Sequence, residues 1–461
     1  MVFSSIFFLF FFLPAFFLCY YLVPGKVKNV VLLIASILFY AWGEPKYVIL
    51  LIISSVVDYV NGRMMEKFDS KDRIRKIFLV ISIVINLSLL AIFKYSGLFI
   101  DTLDLIPGIN INNPNLPLPI GISFFTFQTM SYSMDVYRRE VKAEHNFLNY
   151  MTYVSMFPQL IAGPIVRYKD VSAELASRKI TFDAAADGFI RFGMGLFKKV
   201  IIANGIGLLW DTCLENVSSL SFASAWLGAV AFAFKIYFDF SGYSDMAIGL
   251  GKMMGFNYPE NFNYPYITDS ITDFWRRWHI TLSSWFKSYV YIPLGGSRKG
   301  NARTILNLII VWGLTGFWHG ASWNYLLWGA FFAVVLILEK FLFAKILEKT
   351  PSALRHIVTI FLILISWVIF AVEDFSSMGL YLKSMFTFSG GIADGFFIYS
   401  LRNYGVILLI AAVLSCPVYP ALRKKVRGVY WAKCIVFAVL FLVSVVFLLK
   451  NTYNPFLYFR F

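Results

Sequence analysis

Apolar runs of roughly 20 residues, the length that crosses a lipid bilayer, alternate with short polar connections along most of this 461-residue chain. The pattern predicts many membrane-spanning α-helices. A membrane β-barrel would show segments of roughly 10 residues with alternating polarity, and none are visible. Two places break the rhythm. From Gly255 to Gly300 the chain is amphipathic, rich in Tyr, Trp and Asn, and too polar to cross lipid continuously. In "MFPQLIAGPIVRY", Pro158 and Pro164 flank a small-residue turn, and prolines so spaced interrupt a helix. Broken backbone at membrane depth survives only where protein covers it or where it lines a cavity. Both stretches therefore predict broken or re-entrant elements around a cavity.

The opening "MVFSSIFFLFFFLPAFFLCYYLVPGKVK" has no Lys or Arg before Lys26 and no small-residue cleavage site, so it reads as a retained first span. Basic residues orient the rest. The connection "NGRMMEKFDSKDRIRK" holds Arg63, Lys67, Lys71, Arg73, Arg75 and Lys76 and is expected inside. The next one, "DTLDLIPGININNPNLPLP", has neither Lys nor Arg and is expected outside. Near the other end "LRKKVRGVYWAK", with Arg423, Lys424, Lys425, Arg427 and Lys433, is again expected inside. Both termini then lie outside, which requires an even number of crossings, expected to be about ten or twelve. No internal repeat of about 20 to 50 residues appears. No Pro/Gly/Ser-rich linker divides the chain, so residues 1–461 are read as one domain.

Composition agrees. The chain is 59% hydrophobic, 19% aromatic and only 15% charged, more apolar surface than a soluble protein hides. Its net charge of +15 falls between the apolar runs, where the excess of basic residues on inside loops accounts for it. A lipid bilayer is the expected surrounding, and no nucleic-acid partner is expected. Cys19, Cys213, Cys416 and Cys434 are scattered without a CxxC pair, which indicates neither a disulfide framework nor a metal site.

Seven of the twelve tryptophans lie between Trp275 and Trp328, and the candidate chemistry lies there too. In "GFWHGASWN" an ionisable side chain, His319, stands between apolar runs beside Trp318, with Ser322 and Asn324 just beyond. A histidine within a span marks either a functional site or a neutral imidazole tying helices together. His279 lies in "DFWRRWHITLSSWFKSYVYIPLGGSRKG", where Trp275, Arg276 and Arg277 offer indole and guanidinium groups to a polyanionic ligand. The alternative is an interfacial helix against anionic headgroups. His145 and His356 sit in polar surroundings and read as interfacial. In "YFDFSGYSDMAIGLG", Asp239, Tyr243 and Asp245 form either a polar core or a proton relay. Several familiar signatures are absent: G-x-S-x-G, H-x-x-x-x-D, H-E-x-x-H and the phosphate-binding G-x-x-x-x-G-K-[ST]. A histidine base activating a hydroxyl beside an acyl donor fits what remains.

On these residues the chain resembles the membrane-bound O-acyltransferases, and within them the AlgI-like alginate O-acetylation proteins. The matching text runs almost end to end: "MVFSSIFFLFFFLP", "YAWGEPKY", "PIGISFFTFQTMSYSMDVYR", "FPQLIAGPIVRY", "YFDFSGYSDMAIGLGKMMGF", "NFNYPY", "FWRRWHITLSSWFKSYVYIPLGGSRKG", "GFWHGASWNYLLWG" and the ending "NPFLYFRF". The resemblance implies an all-α polytopic protein of the bacterial plasma membrane: a ring of tilted helices with broken central helices, an outer funnel and a cytoplasmic tunnel. It makes His319 the active-site histidine and His279 the second characteristic position. Trp275, Arg276 and Arg277 become donor-binding residues, and Trp318, Ser322, Asn324, Asp239 and Tyr243 pocket residues. No bound cofactor or metal is implied. The donor would be acetyl-CoA or an acyl carrier protein thioester, and the acetyl group would reach a polysaccharide through a secreted or membrane-anchored partner acetyltransferase. Two rivals stay open: D-alanyl transfer to teichoic acid, and a proton-coupled transporter or flippase using His319, Asp239 and Asp245.

Overall fold

The computed structural model describes residues 1–114, 116–418, 430–450 and 456. The basic residues 423–427, the side chains of Lys433 and Cys434, and the ending apart from Phe456 lie outside the described residues. Among the described residues the elements are helices, with no strand. Among the described residues, eight helices are long and apolar enough to cross a bilayer, and two shorter apolar ones, Phe8–Leu22 and Ile435–Lys450, accompany them. Leu38, Val60, Val84, Ile357 and Leu409 are exposed on such helices, apolar surface that lipid solvates without the penalty water imposes. The protein is an all-α polytopic membrane protein.

The chain divides into two compact units. One comprises Met1–Gly193, Tyr243–Glu260 and Leu448–Phe459, the other Met194–Gly242, Asn261–Phe447 and Arg460–Phe461. In the first, α1 (Val48–Lys67) and α2 (Asp72–Leu90) pack against α3 (Ile122–Tyr137). α3 carries too many Ser, Thr and Gln side chains to face lipid, and fourteen of its sixteen residues are buried. Its polar groups meet those of its neighbours. The fully buried Asp58 accepts hydrogen bonds from Asn86 (2.6 Å), Ser133 (2.8 Å) and Ser82. Gly62 permits the approach, since a β-carbon there would lie 2.7 Å from the Tyr132 hydroxyl. Arg75, expected in a solvated basic loop, is instead only 2% exposed. It donates to the carbonyls of Val136 (3.0 Å) and Tyr137 (2.8 Å) at the end of α3, where helical acceptors run short of partners.

The proline-flanked stretch is broken as expected. A single turn at Phe157–Leu160 gives way to non-helical backbone over residues 161–166, all of it buried. Two further helices, α4 (Phe182–Phe197) and α5 (Phe222–Met254), contribute residues to both units. The second unit holds α6 (Ile271–Arg277), α7 (Ile280–Phe286), α8 (Asn301–His319), α9 (Trp323–Ile337) and α10 (Ser352–Ala371). These five build the candidate site.

A buried two-histidine candidate active site

α8 and α9 form a close hairpin because glycine faces glycine at their crossing. A β-carbon at Gly316 would lie 2.4 Å from the Tyr325 carbonyl oxygen, and one at Gly329 the same distance from that of Trp312. His319 is the last residue of α8, at the apex, and is 3% exposed. Three aromatic rings wall it at steep angles: Trp328 at 4.9 Å, Trp318 at 5.0 Å and Phe370 of α10 at 5.4 Å between centroids. Asn324, in the first turn of α9, donates to the carbonyls of Phe370 (2.9 Å) and Ile369 (3.3 Å). That bond holds the end of α10, and so Phe370, against the imidazole.

α6 and α7 form a second hairpin beside the first. α6 has 7 residues, and α7 with the π-helical turn Lys287–Tyr291 has 7 plus 5. At ~1.5 Å per residue neither reaches across the ~30 Å of a bilayer. Their course is fixed by contacts. At the foot, Glu339 accepts from the backbone N–H groups of Ile271 (2.7 Å) and Thr272 (3.1 Å), capping α6. Higher up, Trp275 meets Trp312 (4.6 Å) and Phe332 (4.9 Å). At the top, His279 lies 5.8 Å from Trp318. The chain then descends until Gly296 accepts from Asn307 of α8 (2.9 Å). The stretch predicted to be broken is thus a re-entrant hairpin with His279 at its apex.

His279 is fully buried and has a left-handed backbone, φ +43° and ψ +54°. A residue with a β-carbon is strained there, so the surroundings must enforce it. Asn261 does so. Its carbonyl accepts from the Ile280 N–H (3.0 Å). Its side-chain oxygen accepts from Thr281 Oγ1 (2.9 Å) and the Thr281 N–H (3.3 Å), and lies 3.1 Å from His279 Nδ1. Phe240 of α5 closes the other side, edge to face at 4.7 Å. Full burial of His279 disfavours the charged imidazolium. The neutral imidazole is the form this site favours.

The structure brings His319, His279 and Trp318 together and ties Asn324 to their support. Ser322 precedes α9, half-buried, and its carbonyl accepts from the Tyr325 N–H (3.3 Å). Trp275 is packed among aromatic rings, Arg276 is exposed, and Arg277 is bound to Asp273 (2.8 Å). Asp239 forms an ion pair with Lys199, one residue before Phe240. Tyr243 falls in the other unit, its ring 4.6 Å from Phe3 and 4.7 Å from Phe456. Asp245, also there, pairs with Arg191 (2.9 Å). His145 is exposed beside Glu66 (2.8 Å), and His356 Nδ1 lies 2.8 Å from the Thr268 carbonyl. The sequence reading missed Asn261, Phe240, Trp328, Phe370 and Lys199. Asn261, Phe240 and Trp328 lie in stretches that carry the resemblance, "NFNYPY", "YFDFSGYSDMAIGLGKMMGF" and "GFWHGASWNYLLWG", whereas Phe370 and Lys199 lie outside them.

The model of the membrane-bound O-acyltransferase family matches residues 123–380, more than half the chain and the whole of this two-histidine site. The chain belongs to that family. It is therefore an O-acyltransferase that uses an acyl donor and sits in a membrane by several spans. Among its relatives, a probable alginate O-acetylase AlgI of Pseudomonas aeruginosa is 42% identical over 84% of this chain and 75% of its own length. A peptidoglycan O-acetyltransferase of Helicobacter pylori is 36% identical over 85% and 80% respectively. A teichoic acid D-alanyltransferase of Bacillus subtilis is more distant, 29% identical over 49% of this chain and 60% of its own length. Acetyl transfer is thus favoured over D-alanyl transfer.

Proposed function

We propose that this acyltransferase takes an acetyl group from a cytoplasmic thioester, acetyl-CoA or an acyl carrier protein, and delivers it across the bacterial inner membrane. The acetyl group goes to an exported polysaccharide such as alginate, through a secreted or membrane-anchored partner transferase. The observation that carries the reading is the pair of buried histidines, each at the apex of a helical hairpin and both against Trp318. The feet of these hairpins are basic. Arg298, Lys299 and Arg303 lie below one, and Lys340, Lys345, Lys349 and Arg355 below the other, which supports reading these feet as the inside face. The 19 residues of α8, about 28 Å of helix, lead from there to His319, a length that tilt keeps within the hydrocarbon layer. This explains an ionisable group at membrane depth: donor and acceptor approach it from opposite faces.

In this reading His319 acts as general base. It takes the proton of the acceptor hydroxyl as the hydroxyl oxygen attacks the thioester carbonyl carbon. The C–S bond breaks, the proton passes to the departing sulfur, and an ester and a free thiol result. Trp318, Trp328 and Phe370 exclude water, which would otherwise compete for the acetyl group. Among the donor-binding candidates, the exposed Arg276 is the one placed for an anionic donor, since Trp275 packs inward and Arg277 is held by Asp273.

The test is ester-linked acetate in secreted polysaccharide from cells carrying wild-type protein or His319→Ala at equal membrane levels. Loss of acetate only in the variant is expected, by at least the ~100-fold typical of a lost general base. Equal acetate in both would make His319 a structural histidine.

A further inference from the structure

We infer that Asn261 is a positioning residue that fixes His279 in the Nδ1–H tautomer, so that its Nε2 acts as a hydrogen-bond acceptor in the site. The inference rests on the acyl-transfer reading and names a residue and a proton position which that reading leaves open. Its starting point is the Asn261 side chain, fully buried. The same oxygen atom accepts from the Thr281 backbone N–H (3.3 Å) and from Thr281 Oγ1 (2.9 Å). A backbone N–H can only donate, so the atom facing it is the amide oxygen and not the amide nitrogen. His279 Nδ1 lies 3.1 Å from that oxygen. An oxygen of this kind only accepts, so Nδ1 carries the hydrogen. A neutral imidazole has one N–H, and Nε2 then holds the lone pair.

The consequence divides two roles. A histidine with its lone pair at Nε2 can receive a hydrogen bond from a hydroxyl or from the N–H of a second imidazole. It cannot donate one to a thioester carbonyl. Polarising the donor is thus closed to His279, and supporting the acceptor hydroxyl beside His319 is open to it. The charged groups on the surrounding elements do not alter this. Lys199 and Asp239 neutralise each other on the α4–α5 side, as do Asp273 and Arg277 on α6. Lys287 beyond α7 is exposed. His319 is the titratable group at the apex of α8, and the full burial of His279 favours its neutral form. Asn261 also holds the backbone of His279, through its carbonyl to the Ile280 N–H. One residue therefore fixes both the strained turn and the proton of the ring it carries.

The test has two arms. In the first, protein labelled with 15N-histidine is placed in liposomes and read by solid-state NMR, with His279→Gln assigning the His279 signal among the four histidines. A protonated Nδ1 with a bare Nε2 is expected, and Asn261→Ala should abolish that signature. A protonated Nε2 in the wild type overturns the inference whatever the activity. The second arm measures acetyl transfer in membranes supplied with acetyl-CoA, alongside cellular O-acetate. Asn261→Ala should lose roughly 10- to 100-fold. Asn261→Asp keeps the acceptor but brings a negative charge that favours the imidazolium. Its activity should fall as pH drops through about 8 to 5, a range in which the wild type, with a neutral His279, shows no such His279-dependent limb. Wild-type activity in Asn261→Ala, with His319→Ala inactive, would overturn the positioning role and leave the acyl-transfer reading intact. Activity surviving in His319→Ala would sink that reading instead, while the NMR arm still decides the tautomer.

Discussion

Lys199 and Asp239 are each 3% exposed and form an ion pair within the bilayer-spanning part of the chain. Removing one partner of such a pair leaves an uncompensated buried charge, on the order of 3–5 kcal/mol, whereas replacing both by apolar side chains is often neutral. Lys199→Met is accordingly expected to lower the melting temperature in detergent by many degrees. Lys199→Met combined with Asp239→Leu should recover most of the loss. A single variant that melts like the wild type but makes no acetyl ester would move Lys199 from support into the chemistry. Asp245 is charge-paired in the same way, with Arg191. Both aspartates of a proton relay are thus held by cations, which favours the polar-core reading of "YFDFSGYSD". Residue types were legible in the sequence at these positions and partners were not. Nothing near Asp239 in the chain points to Lys199, because the contact is made only when α5 packs on the π-helical turn Lys198–Ala203.

At the scale of elements, the α8–α9 hairpin places His319 by a backbone approach that side chains would forbid. A β-carbon at Gly316 meets backbone at 2.4 Å, which no rotamer change relieves, whereas one at Gly313, a turn earlier on the same helix, meets nothing within 4 Å. The two positions make a matched pair. Gly313→Ala is expected to preserve acetylation and to add up to ~1 kcal/mol of helix stability. Gly316→Ala should splay the hairpin, carry His319 away from Phe370 and abolish acetylation at reduced membrane levels. Equal activity of the two variants would show that the close crossing is not what positions the imidazole. This level was the most legible. Apolar runs of spanning length marked the helices, and the polarity of residues 255–300 marked the break, because lipid tolerates only a narrow range of backbone arrangements. Less legible was how the two hairpins lie side by side. That depends on Glu339 capping α6, on Trp275 meeting Trp312 and on His279 meeting Trp318. The tryptophan-rich composition hinted at such packing without fixing its pairs.

At the scale of the whole molecule, the reading requires a defined inside and outside, and charge placement predicts them. Between Ser70 and Asn112 lies one apolar segment, Asp72–Leu103, of 32 residues. That is about 48 Å of helix, enough to cross a bilayer once with tilt. Ser70 sits in the basic connection, and Asn112 in the connection that has no Lys or Arg, and both are exposed. Ser297 is also exposed and sits at the foot of the re-entrant hairpin among Arg298, Lys299 and Arg303. In protein whose four cysteines are replaced by alanine, single cysteines at these three positions should separate cleanly under a membrane-impermeant maleimide. Asn112→Cys should label in intact spheroplasts, and Ser70→Cys and Ser297→Cys only after permeabilisation. Labelling of Ser297→Cys from outside would put the basic foot and the supposed acyl donor on opposite faces, so that a cytoplasmic thioester could not reach His319 by this route. Labelling as expected would place the donor end of the two-histidine site at the cytoplasmic surface. The acetyl donor would then meet His319 from the end of α8 that carries Arg303.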